Sequence, residues 1–208
     1  MRQLMHEQKK RVEVYLKFFV KWTFLALLAG AVCGAVGAVF HHAVELAGAM
    51  FSSCGWLLYL LPVSGLAVVL VYRLFGAEPE EGANLVILSL RTGKPVPPSA
   101  AVRVFVSTVL THLCGGSAGR EGAALIIGAG MVPFFKRIFH LSERAGKKMT
   151  MCCMSALFSA VFGTPVAAAL FSMEVSSVGV LQYTALYPCL TAGLAAWGVS
   201  SFLRTEGV

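Results

Sequence analysis

Charge is what this sequence has least of. Only 13% of its 208 residues are charged, against about 25% in an ordinary soluble domain. That shortfall, with 57% hydrophobic residues and a mean hydropathy of +0.76, points to lipid as the solvent. Three functional patterns are also missing. No basic stripe is interleaved with aromatics, which excludes a nucleic-acid partner. No pair of cysteines forms CxxC and no metal-ligand spacing occurs, so Cys33, Cys54, Cys114, Cys152, Cys153 and Cys189 read as small buried hydrophobes, with no metal and no cofactor implied. No nucleophile–base pattern is present, so the chain does not read as an enzyme. Finally, no convincing cleavage site follows the N-terminus. The apolar stretch there is about 30 residues long, too long for a signal peptide, and it reads as a retained first span.

What charge there is lies in clusters. The formal net charge is +7, from 17 Lys+Arg against 10 Asp+Glu. Residues 1–17 carry Arg2, Lys9, Lys10, Arg11 and Lys17, with Glu7 and Glu13 as the acids. They read as a basic cytoplasmic lead, followed by a single transmembrane domain over 18–208. A second basic cluster, read as a loop, covers 136–148 with Lys136, Arg137, Arg144, Lys147 and Lys148. The positive-inside rule puts both clusters on one side of the membrane, the cytoplasmic side, and implies a multi-pass protein of the plasma (inner) membrane.

Between these clusters the apolar segments are uneven. The first, 18–50, repeats small residues at Gly30, Ala31, Gly34 and Gly37, a close-packing face for another helix. His41 and His42 near its end read as interfacial, with a proton relay or a metal site as the alternative. A second segment, 54–75, holds Pro62 and Gly65, which predict a kink. Residues 76–100 are rich in proline and charge around LVILSL, too short to cross a bilayer and expected as a short or re-entrant helix. Further apolar runs cover 101–113, 123–139, 149–162, 165–175 and 181–203, giving roughly six to eight helices by length. Several are broken by Gly or Pro. In lipid such breaks survive only where the backbone is buried in protein or lines a cavity, and discontinuous helices mark ion or substrate sites.

One break carries chemistry. In CGGSAGREGAALIIGAG, residues 114–130, glycines precede an apolar helix that starts at Arg120 or Glu121. The first N–H groups of such a helix have no intrahelical partner and carry the positive end of its dipole. They form an anion site without a lysine that would hold the ion too tightly. Gly119, Arg120, Glu121, Gly122 and Ala123 are its candidate anion-binding residues. Glu121 is itself an anion at that terminus. It either completes the helix dipole or occupies the site and leaves it when protonated, acting as gate and proton carrier. Ionisable residues within a membrane are functional by default, so the gate is the reading adopted. Arg120 is expected to turn its side chain to a polar partner or an interface. In VFGTPVAAALFSMEV, 161–175, Gly163 and Pro165 break the chain, with Pro165 suited to a first helical turn. Glu174 is expected as a helix-end carboxylate bonded to backbone N–H groups.

GSAGREGAALIIG resembles the GxxxGREGP region of the CLC chloride channels and proton-coupled anion transporters. VFGTPVAAALFSMEV resembles that family's downstream F-N-x-P-x-A-G-x-x-F-x-x-E segment. THLCGGSAGREG, FGTPVAAALFSMEV and LQYTALYPCL are most similar to its fluoride-exporting CLC-F branch. The resemblance implies an all-α membrane fold, namely the first inverted repeat of the CLC fold with broken and re-entrant helices. It implies fluoride export coupled to proton entry, with a passive chloride channel or a non-transporting membrane scaffold as alternatives. In place of the family's G-S-G-I-P loop stands Gly82-Ala83-Asn84-Leu85-Val86, so Ala83 and Asn84 join the implied anion site and the loop hydroxyl is absent. Val175 stands where many chloride/proton exchangers carry a second acid, and Ala123 where the chloride-type motif has proline. Family members are about twice as long and consist of two inverted repeats. The chain is therefore expected to be a fragment or one part of a split transporter needing a second-half polypeptide, with an inverted copy of itself or a decayed product as alternatives. The resemblance places a homodimer contact on the last two helices, Pro165–Ser176 and Leu181–Leu203. The expected partners are fluoride or chloride, protons and the lipid bilayer.

Overall fold

A computed structural model describes residues 2–76, 82–175 and 182–205, with backbone alone for residues 2–12, 14, 15, 204 and 205. Parts of several sequence expectations lie outside these residues: the side chains of Arg2, Glu7, Lys9, Lys10 and Arg11, the residue Pro79, and the segment ends at Ser176 and Leu181. Helix α1 spans Arg2–Ser53 without a break, so the basic lead and the first apolar segment form one helix. A 3-10 turn over Gly55–Leu60 leads into α2 (Leu61–Leu74). Then come α3 (Ala83–Thr92), α4 (Pro98–Leu113), α5 (Arg120–Gly130), α6 (Val132–Ile138), α7 (Glu143–Phe162), α8 (Pro165–Glu174) and α9 (Tyr183–Thr205). Among the described residues, three stretches are long and apolar enough to cross a membrane: Leu16–Ser53, Gly55–Leu74 and Tyr183–Leu203. α3 and α8, of 10 residues each, reach only about 15 Å, half of a hydrocarbon core of about 30 Å.

The core is a bundle of α1, α7 and α9 running in one direction. Gly30 faces Ala192, Gly34 faces Ala196 and Gly37 faces Ala160. A Cβ on Gly30 would stand 2.6 Å from the Ala192 carbonyl oxygen, and one on Gly34 2.8 Å from that of Ala196. The predicted small-residue face is therefore where α1 meets its neighbours. In lipid, close backbone approach and polar contacts replace the hydrophobic effect as the force between helices. The polar contacts come from serines between α7 and α9. Ser155 donates to the Cys189 carbonyl at 3.0 Å, Ser159 to that of Gly193 at 2.8 Å, and Ser200 back to that of Ala160 at 2.9 Å. Five of the six cysteines are buried and all are free thiols, as the hydrophobe reading expects; Cys54 is exposed.

The remaining elements pack around this bundle. α4 runs with α1, since Phe40 meets Phe105 and Gly115 meets Phe51. α5 runs the opposite way to α4, with Gly130 against Ala101. α2 joins α4 through Ser64, which donates to the Leu110 carbonyl at 3.1 Å. Most of its large apolar side chains, among them Val63, Leu66, Leu70 and Leu74, are exposed, as suits a lipid-facing helix.

Several boundaries differ from the sequence expectation. The 123–139 run divides at Met131, because Pro133 sits in the first turn of α6 and has no N–H to continue the ladder. Pro62 produces no kink inside a span. It lies in the first turn of α2, where its missing donor is harmless, and Gly65 leaves α2 unbroken. The cluster at 136–148 is not one loop. Lys136 and Arg137 end α6, and Arg144, Lys147 and Lys148 lie in the first turns of α7, capped by Ser142. The two basic clusters do meet at one end of the bundle, where Lys148 lies 4.9 Å from the Phe18 ring centroid.

Candidate functional site

The GREG motif opens α5 as the glycine pattern predicts. Gly119 is the N-cap residue, in extended conformation with φ −65° and ψ 132°, and no side chain caps the helix. Its first N–H groups are left for an external acceptor. From Ala123 to Gly130 every residue of α5 is buried, whereas Glu121 is exposed. The Glu121 carboxylate turns back toward its own helix start, with Oε2 3.3 Å from the point a Cβ on Gly119 would occupy. A Cβ on Gly122 would meet nothing within 4 Å, so the helix terminus is open on that side. Glu121 forms no ion pair among the described residues.

The depth of this terminus follows from the packing. Gly128 lies against the Cys153 carbonyl, 2.6 Å from where its Cβ would be. Cys153 is five residues along α7 from Lys148, and Glu121 is seven residues back along α5 from Gly128. Glu121 therefore stands about 18 Å along the helix axes from the basic end of the bundle.

The four glycines of the motif have two different jobs. Gly115 has φ +77°, and a Cβ there would collide with the Phe51 ring. A Cβ on Gly116 would lie 2.6 Å from Thr111 Cγ2. These two make the α4 exit turn and its packing, and do not bring backbone to a ligand; Gly119 and Gly122 are the pair at the open terminus. Arg120 is half-buried, and its guanidinium makes no hydrogen bond or ion pair among the described residues, so the polar partner expected for it is not found there.

Ala83 and Asn84 form the exposed first turn of α3, which follows Gly82 at φ +93° and again lacks a side-chain cap. α3 packs on α5. The carboxyl ends of both point to one small cavity lined by Ser89, Gly93, Val132 and Thr150, so both amino ends lead away from it. The α3 carboxyl end is fixed by Gly93 in the left-handed conformation and by Lys147, which donates to the Arg91 carbonyl at 2.8 Å.

The second motif behaves partly as expected. Gly163 ends α7 at φ +72°, and Pro165 starts α8 in its first turn. The Pro165 carbonyl lies 3.3 Å from where a Gly193 Cβ would be. Gly193 is near the middle of α9, so α8 begins partway through the bundle. Glu174 is exposed and makes no hydrogen bond among the described residues, and the segment that follows it, 176–181, lies outside them. A helix carboxyl end offers carbonyls and no free N–H, so a carboxylate there has nothing from its own helix to accept.

Sequence reasoning passed over Arg103, which is only 1% exposed. Its Nη1 donates to the Phe75 carbonyl at 2.8 Å, the Gly76 carbonyl at 3.1 Å and Ser99 Oγ at 3.3 Å. The guanidinium also stands 5.7 Å from the Tyr72 ring centroid. Arg103 thus binds the last carbonyls of α2, just before the segment that leads to α3. A lone arginine inside an apolar run was the available signal. His41 pairs with Glu45 at 2.8 Å. Among the described residues no group of three or more His, Cys, Asp or Glu side chains could hold a metal ion.

Apolar helices of uneven length, three of them among the described residues long enough to cross a membrane, define a multi-pass membrane protein. A family model described as "Voltage gated chloride channel" matches residues 64–208, and the chain belongs to that family, the CLC channels and transporters. A "Chloride/fluoride channel protein" of Pseudomonas syringae pv. tomato is 37% identical over 191 residues, covering 88% of this chain and 42% of the relative. A "Putative ion-transport protein YfeO" of Shigella flexneri is 34% identical over 125 residues, covering 55% of this chain and 27% of that protein. The crystal structure of a CLC-type fluoride/proton antiporter superposes with a TM-score of 0.82 at 33% identity, covering 89% of this chain and 47% of that one. The chain spans less than half the length of these relatives.

Proposed function

We propose that this chain is the first half of a CLC-type fluoride/proton antiporter, exporting fluoride in exchange for entering protons. The anion binds at the uncapped amino ends of α5 and α3, through Gly119, Arg120, Glu121, Gly122 and Ala123, with Ala83 and Asn84 beside it. Glu121 gates the path: its carboxylate occupies the anion position when ionised and swings away when protonated. The observation that carries this reading is Glu121 itself, an exposed carboxylate with no ion pair among the described residues, at the start of a helix buried from Ala123 onward. At about 18 Å from the basic end it stands near the middle of a hydrocarbon core of about 30 Å. An ionisable group at such a depth is sustained by function.

The exposed side of that terminus is the place for a second half, supplied by a further polypeptide or by chain continuing this one. The homodimer contact is assigned to α8 and α9, which leave Val166, Leu170, Leu194, Trp197 and Phe202 exposed. The basic end is assigned to the cytoplasmic face of the plasma membrane, with the N-terminus inside. A second reading is a passive anion channel. It is favoured by Val175, which leaves no acid after Glu174, and by the channel name borne by the Pseudomonas relative.

The test joins this chain to the carboxyl-terminal half of the Pseudomonas relative and measures fluoride efflux and proton uptake in liposomes. Antiport predicts that the two fluxes are linked and that Glu121→Gln abolishes proton uptake. Fluoride efflux without linked proton uptake selects the channel. Proton-coupled efflux unchanged in Glu121→Gln overturns the gate.

A further inference from the structure

The start of α7 and the apolar start of α1 meet in a cluster of cations that the transport reading leaves unused. Lys148 Nζ lies 4.9 Å from the Phe18 ring centroid and 5.7 Å from that of Trp22. Lys17 and Lys21 flank these rings on α1, and Arg144 lies one turn before Lys148 on α7. Both cation pairs therefore have the i, i+4 spacing at which like charges repel. Arg144 and Lys148 also sit in the first two turns of α7, at the positive end of its dipole, where cations are disfavoured. No carboxylate forms an ion pair with them among the described residues: Glu143 pairs with Lys136 at 2.6 Å, and Glu13, one turn before Lys17, is exposed and unpaired there.

The cluster lies at a membrane boundary. The apolar spans begin at Leu16 in α1 and at Tyr183 in α9. The two starts are level, because Phe19 stacks on Tyr187 at 4.5 Å and Thr23 shares a 2.8 Å hydrogen bond with the Tyr187 hydroxyl. Aromatic rings with lysines at the entry of apolar helices mark the headgroup layer, and the Lys148 ammonium rests against two of these rings. Four cations gathered at the depth of the phosphates with no carboxylate in an ion pair to them among the described residues suit an anion that resides there. We propose that Lys17, Lys21, Arg144 and Lys148 form a binding surface for the phosphate headgroup of an anionic phospholipid, which couples the start of α1 to the start of α7.

The test is the thermal midpoint of the full chain in a neutral detergent, with added phosphatidylglycerol, phosphatidylcholine or inorganic phosphate. A lipid bound to the folded state alone and held well above its dissociation constant should raise the midpoint by about 5 °C. Phosphatidylcholine and inorganic phosphate should leave it in place. In Lys17→Gln/Lys21→Gln, which alters only exposed positions, at least half the phosphatidylglycerol shift should vanish; adding Arg144→Gln and Lys148→Gln should remove the rest. Equal shifts with both lipids, a shift reproduced by inorganic phosphate, or a phosphatidylglycerol shift unchanged in the double variant would each overturn the proposal.

Discussion

Gly128→Ala is the sharpest test of how α5 is held. The added Cβ would lie 2.6 Å from the Cys153 carbonyl oxygen, 3.0 Å from its carbon and 3.1 Å from Met154 Cα. All three are backbone atoms inside a helix, so no side chain can rotate away. Restoring ordinary contact at about 3.4 Å requires α5 to move outward by about 0.8 Å, and such overpacking costs roughly 1–3 kcal/mol. Gly122→Ala, on the same helix, is the matched control. Its Cβ meets nothing within 4 Å, and alanine is favoured over glycine in a helix by up to about 1 kcal/mol. The same chemical change should therefore have opposite signs six residues apart. The buried thiols Cys33, Cys152, Cys153 and Cys189 supply the assay, since a thiol-reactive fluorophore reports their exposure as the protein is heated. Gly128→Ala should melt lower than the parent by several degrees and Gly122→Ala should not, at about 2–4 °C per kcal/mol for a chain of this size. If Gly122→Ala melts as low as Gly128→Ala, the placement of α5 against α7 is wrong.

Other perturbations separate the forces in the bundle. Ser155→Ala and Ser159→Ala each remove one bond from α7 to an α9 carbonyl. Each should cost roughly 0.6 kcal/mol and at most about 1.7, as interhelical bonds in membranes do; a larger loss in the same thiol assay would mean the serines hold more than the bond. Arg103→Met leaves the Phe75 and Gly76 carbonyls without this charged donor, with an expected loss of about 1.5–3 kcal/mol per bond. Arg103→Lys should recover part of it, because an ammonium keeps the charge and can donate to the same carbonyls but loses the guanidinium's contact with the Tyr72 ring. Stability equal to the parent in Arg103→Met would remove its structural role. Glu121→Gln is expected to abolish proton uptake while the fold melts as the parent does, since the side chain is exposed.

What could be read without coordinates is what depends on local chemistry. The glycines at 30, 34 and 37 announced a packing face because residues three and four apart share one side of a helix, and Ala192, Ala196 and Ala160 occupy it. The break at Gly163 and Pro165 follows from backbone conformations that few other residues adopt. What could not be read depends on a neighbour distant in sequence. Gly115 looks like a ligand glycine until Phe51 is seen against it. Arg103 looks like an isolated charge until it meets the end of α2.

The close fit of α1 against α9 also sets a timetable for synthesis. Gly30 reaches the bilayer long before its partner exists, because Ala192 is made about 160 residues later, roughly 8–30 s at ribosomal speed. During that interval the notch at Gly30 and Gly34 faces lipid tails or another protein. Membrane insertion must keep this surface unoccupied, or hold it reversibly, until α9 arrives to close the bundle.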